Sequence, residues 1–260
     1  LTLIRLAINL GFSAGPALGG IIIASIGYFG LFLADGITCI LAGLLLIQTL
    51  NPKKAKETDQ EKMIENPLAP HKDRLYVIFL IALALFGVVF VQYFSTVPVY
   101  YKEVRLLTES QIGLLLGMNG LMIFLFEMPL IAFMEAKNWN HISNVIGGLV
   151  LTGLSFGFFY VSGWNGVLIL GMAVATLGEM IAFPFGNAFA LRRAKLGRQG
   201  AYMGLYSMSF SLAHIFGHNS GMQLVDRLGY KSTWAIMAAI TVVALLLLIY
   251  VKRNKEFSKI

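Results

Sequence analysis

Long apolar runs recur along this chain almost to its last residues, and that recurrence limits the fold more than any other feature. A helix crosses the hydrocarbon core of a bilayer with about 20 mostly apolar residues. By that measure eight spans are expected, at 3–24, 29–49, 75–97, 110–133, 141–162, 166–189, 201–223 and 232–251. Membrane-barrel strands would alternate polarity in segments of about ten residues, and these runs are too long and too uniform for that. An all-α polytopic membrane bundle is the expected fold. Composition agrees, since 57% of the 260 residues are hydrophobic and 13% charged, against about 25% charged in a soluble domain. A signal peptide would be one short apolar block near the start. The single cysteine, Cys39, excludes a disulfide framework and a Cys-rich metal site.

The connections are short except for residues 51–74, which are polar, hold three prolines and read as a flexible or surface-lying connector. Lysine and arginine set the orientation. Assigning alternate loops to opposite sides puts Arg5, six residues in 51–74, Lys137, four in 191–200 and four in 251–260 on one side. Lys102, Arg105, Arg227 and Lys231 fall on the other. The positive-inside rule makes the long loop and the C-terminus cytoplasmic. The net charge of +7 is thereby accounted for without a nucleic-acid partner; the bilayer is the partner expected.

The two ends of the chain resemble each other. NLGFSAGPALGGIIIASIGY (9–28) aligns with SLAHIFGHNSGMQLVDRLGY (211–230) without a gap, at an offset of 202. Gly15 falls on Gly217, Gly19 on Gly221, and Gly27-Tyr28 on Gly229-Tyr230. The first span pairs with the seventh, so one repeat is six helices long, as in transporters whose halves are related by an axis along the membrane normal. On that count residues 1–50 are the last two helices of an N-terminal half, 51–74 the central loop, and 75–260 a six-helix C-terminal half with a short tail. The expectation is that the sequence is part of a longer protein with about four more helices upstream. A complete eight-helix protein is the alternative.

Six plus six helices around a charged central loop resemble the major facilitator superfamily. The stretch GFSAGPALGG sharpens this, because Gly11, Gly15, Pro16, Gly19 and Gly20 match the G-x-x-x-G-P-x-x-G-G motif on the fifth helix of that superfamily's drug/proton antiporters. The repeat copy has His218 and Met222 at the positions of Pro16 and Gly20. Glycines at such spacing let another helix approach backbone to backbone, and Pro16 removes a ladder hydrogen bond and bends the helix. The resemblance implies that this contact seals the interface between halves. It also implies a bacterial inner-membrane protein, monomeric when full length, that moves a small-molecule substrate against protons. The segments at 178–194 and 202–217 resemble the tenth and eleventh helices of bacterial efflux members.

Three carboxylates fall inside spans: Asp35, Glu127 and Glu179. Each costs about 2.5–3.5 kcal/mol on insertion scales and therefore asks for a reason. Burial in hydrocarbon disfavours the charged form of a carboxyl group, which suits a proton carrier. At about 1.5 Å per residue, Glu179 and His214 both lie about 20 Å along their spans, near the midplane where transporter sites cluster. Glu127 lies somewhat deeper and Asp35 near a helix end. Glu179, Glu127 and His214 are thus the proton-coupling candidates. Gln92, Tyr93, Asn119, Asn187 and Tyr206 are the substrate-cavity candidates. Each of these polar groups has a purely structural alternative, such as a hydrogen bond to a carbonyl freed by Pro129 or Pro184. His214 and His218 are four apart, a metal-ligand spacing, but no third ligand is evident from sequence, so no metal or cofactor is expected. The enzyme reading lacks support, because neither H-E-x-x-H nor G-x-S-x-G occurs. Within the transporter reading the alternatives are a symporter or uniporter for sugars or metabolites, and a transport-inactive fragment or sensor.

Overall fold

A computed structural model describes residues 2–49, 68–161, 164 and 166–254, with residues 2–9, 12 and 13 as backbone only. Eight α-helices follow one another: α1 (Thr2–Ile26), α2 (Tyr28–Thr49), α3 (Arg74–Val91), α4 (Thr96–Glu103), α5 (Glu109–Ala136), α6 (His141–Ser155), α7 (Gly166–Ala194) and α8 (Gln199–Arg253). No strand occurs among the described residues. Of the expected connector at 51–74, residues 51–67 lie outside the described residues, and 70–72 form one tight turn before α3.

Correspondence with the eight expected spans is direct once α8 is read correctly. Gly229 has φ 76° and ψ 167°, which breaks that 55-residue helix into two limbs, the expected seventh and eighth spans. Gly27, its repeat mate, sits at φ 80° between α1 and α2. Only glycine takes a positive φ without a Cβ penalty, and a glycine takes one at both positions. The third span departs from expectation: α3 stops at Val91, residues 92–94 tighten to a 3-10 turn, and α4 continues to Glu103.

Caps account for the sharp helix ends. Thr108 accepts from the Gln111 backbone N–H (3.3 Å), and the Gln111 side chain accepts from the Thr108 N–H (3.0 Å); this reciprocal capping box starts α5. At the other end of α5, Asn138 takes φ 52° and Asn140 caps α6 by accepting from Ile142 N–H (2.9 Å), so four residues reverse the chain.

Helix contacts are made where side chains are absent. A Cβ on Gly113 of α5 would lie 2.8 Å from the Pro16 carbonyl oxygen, and one on Gly20 would lie 3.0 Å from the Glu109 carbonyl oxygen. The Gly/Pro helix α1 is therefore pressed backbone to backbone on α5 at Pro16 and Gly20. Gly19 takes Leu31 of α2 at 3.4 Å, whereas Gly11 and Gly15 have no described atom within 4 Å. On α6 and α7 the same device recurs, since a Cβ on Gly148 would lie 2.6 Å from the Gly178 carbonyl oxygen. The α3–α8 contact uses Gly87 against Ala213, and Gly217 against Val88. Two apolar cores fill the bundle, one around Tyr76, Phe79, Phe189 and Tyr202, the other around Tyr93, Phe159, Met172 and Trp234.

Candidate functional site

Polar side chains inside this apolar frame must find partners within it, because hydrocarbon offers none. Asn119 of α5 is buried and donates from Nδ2 to Thr176 Oγ1 and to Glu179 Oε2 of α7, both at 2.9 Å. Thr176 in turn donates to the Met172 carbonyl (2.7 Å) one turn back. Asn119 and Glu179, expected separately from sequence, are thus brought together across the α5–α7 contact. Glu179 is half-buried, while Glu127, two helical turns along α5 from Asn119, is 3% exposed. One carboxyl group is reachable and the other enclosed.

Further along α7, Asn187 is half-buried, and its Oδ1 is enclosed without a hydrogen-bond partner among the described residues. Beside it, Gly186 leaves space that a Cβ would occupy at 3.8 Å from the Tyr206 hydroxyl and from Leu83. Gly186 and Tyr206 therefore share the seam where α7, α3 and the first limb of α8 meet.

The remaining candidates have other neighbours. Gln92 is fully buried, donating to the carbonyls of Val88 (2.9 Å) and Gly217 (2.8 Å) and accepting from Thr96 Oγ1 (2.6 Å). Tyr93 donates to Ser155 Oγ at 2.6 Å. Both join helices. His214 is exposed, with Nδ1 3.3 Å from Nε2 of His218; α3 lies against Ala213 and Gly217, about a quarter-turn away. Asp35 is exposed on α2.

One cluster escaped sequence reasoning. Asp73, at the N-cap of α3, accepts from Arg193 Nε (2.6 Å) and Nη2 (2.8 Å) at the end of α7, and from the Tyr202 hydroxyl (3.2 Å) of α8. Asp73 and Arg193 are 3% and 6% exposed. Such a bidentate, charge-assisted pair pins three helices at the basic end of the bundle. Its signal in the sequence was faint, because charges at span ends are ordinary.

Among the described residues, these polar groups meet between helices of an apolar bundle, as they do in polytopic membrane proteins. The chain belongs to the Major Facilitator Superfamily, whose family model matches residues 1–218 and again 106–259. It is 25% identical to the uncharacterized MFS-type transporter YqjV of Bacillus subtilis (strain 168), over 96% of this chain and 62% of that relative. It is 24% identical to a Na(+), Li(+), K(+)/H(+) antiporter of Planococcus maritimus, over 91% of this chain and 62% of that one. A solved structure of a bacterial homologue of the iron transporter ferroportin, in an inward-facing state, shares the fold with TM-score 0.69 and 18% identity. That match covers 97% of this chain and 63% of the other. The peptide transporter POT (E310Q mutant) gives TM-score 0.56 at 20% identity, over 92% and 50% of the two chains. The chain thus spans about three fifths of the length of the curated relatives it matches.

Proposed function

We propose that the full-length protein is a secondary active transporter of the bacterial inner membrane that exports small lipophilic or cationic compounds in exchange for protons, by alternating access. The reading rests chiefly on the Glu179–Asn119 bond, a reachable carboxylate held in place at mid-span on α7. Glu179 binds either a proton or a cationic substrate. Because the two compete for one negative charge, loading of one releases the other, which is the arithmetic of exchange. Asn187 Oδ1 supplies an acceptor for a substrate N–H. Glu127 is a second proton site and His214 an auxiliary one. The close α1–α5 contact through Pro16, Gly20 and Gly113 is the sliding surface between halves.

A second reading has its own support. A relative 24% identical is an alkali-cation/proton antiporter, and the adjoining oxygens of Glu179 and Thr176 are hard ligands of the kind that such cations prefer. One experiment separates the two. Everted vesicles carrying the full-length protein, energised with a proton gradient, are challenged with ethidium and separately with Na+, Li+ or K+. Collapse of the gradient by ethidium supports the first reading, and collapse by the alkali cations alone replaces it with the second. Collapse by neither overturns proton-coupled exchange.

A further inference from the structure

At the basic end of the bundle, the α5–α6 turn, the last turn of α7 and the end of α8 enclose a basin of about 520 Å³. Three permanent cations line it, Arg192 and Arg193 from α7 and Lys252 from α8, together with the His141 ring and the carboxylate of Glu135. Neither Arg192 nor Lys252 forms an ion pair with a described residue, although the adjacent Arg193 is held by Asp73. A free guanidinium fork beside an ammonium, opposed by one acid, leaves the basin with an excess of positive charge. That arrangement matches a tetrahedral phosphate, which a guanidinium binds in bidentate fashion.

The rim gives its depth. Lys137 Nζ lies 4.8 Å over the Phe133 ring and 5.6 Å over the Trp139 ring. Those rings are 58% and 51% exposed, one facing out from the last turns of α5 and the other from the tight turn that Asn138 and Asn140 create. Exposed aromatics beside lysine at a helix end belong at headgroup level, where basic pockets between spanning helices take lipid headgroups. We propose that this basin binds a phosphate ester, carried by an anionic phospholipid headgroup or by a free phosphate compound. The inference is independent of the transported substrate.

The test is equilibrium binding to the full-length protein of radiolabelled phosphatidylglycerol in mixed micelles, with zwitterionic, net-neutral phosphatidylcholine as the control, and separately of radiolabelled inorganic phosphate. Arg192 and Lys252 are exposed, so the double variant R192Q/K252Q is expected to elute and melt as the parent does. Lys252→Gln alone serves should the double variant not fold. At least tenfold weaker phosphatidylglycerol binding by the double variant, and several-fold by the single one, identifies a lipid site. The same loss seen only with inorganic phosphate identifies a site for free phosphate. Equal binding by variant and parent in both arms overturns the proposal.

Discussion

Glu179 and Asn119 act as a pair, and two substitutions distinguish what each contributes. Glu179→Gln keeps an oxygen that accepts from Asn119 Nδ2 but removes the titratable group. Proton-coupled exchange in vesicles is expected to fall at least tenfold, with the melting temperature unchanged; exchange at the parent rate would remove Glu179 from the mechanism. Asn119→Ala instead removes both of its interhelical bonds, which inside a membrane are worth about 0.6–1.7 kcal/mol each, so a lower melting temperature should accompany any loss of exchange. Asp73 and Arg193 are a structural pair by the same criterion. Removing one partner of a buried ion pair costs about 3–5 kcal/mol, so Asp73→Asn should destabilise the detergent-solubilised protein severely, and the exchanged pair D73R/R193D should recover part of that. Polar residues in apolar spans announced Asn119 and Glu179, but their bond depends on which helices adjoin, and no local pattern encodes that. Asp73 and Arg193 lay among the ordinary charges at span ends.

Glycine decides the helix contacts, and the neighbours of each glycine predict which substitutions matter. A Cβ on Gly148 would lie 2.6 Å from the Gly178 carbonyl oxygen, whereas Gly147, its neighbour in sequence, has open space. Gly148→Leu should force α6 off α7, with a loss of about 1–3 kcal/mol or more from overpacking, while Gly147→Leu should melt as the parent does; equal effects would mean that α6 is rotated from its position here. Gly229 makes the complementary case, since it has open space yet sits at φ 76°. Gly229→Ala is expected to cost about 1 kcal/mol or more through backbone strain alone, read as a lower melting temperature. Helix number, and the repeat that pairs Gly27 with Gly229, were legible because long apolar runs and turn glycines are local signals. The interruption at 92–94 was not, because there Gln92 bonds the Gly217 carbonyl and Thr96, partners that only the packed α8 and the next helix provide.

Charge divides the whole molecule into two ends, and that division predicts its orientation. Lys137, Arg192, Lys195, Arg198, Lys252 and Arg253 cluster where α5, α7 and α8 end and the first limb of α8 begins. At the opposite end Lys102 pairs with Glu109 at 2.8 Å and Arg105 donates to the Val161 carbonyl at 3.0 Å. Translocating a short loop rich in lysine and arginine is disfavoured, while isolated cations cross more readily, so the basic end is expected to stay in the cytoplasm. A fluorescent protein fused to the full-length protein after Ile260 should therefore fold and fluoresce, and alkaline phosphatase at the same point should be inactive. Alkaline phosphatase inserted after Arg105, between α4 and α5, should instead be active. Neutralising Arg192, Lys195, Arg198, Lys252 and Arg253 together removes five of the sixteen lysines and arginines assigned to that end and should give a mixed population of reporters. An active phosphatase after Ile260 in the unmodified protein would invert the orientation, and proton entry and substrate release would then exchange sides.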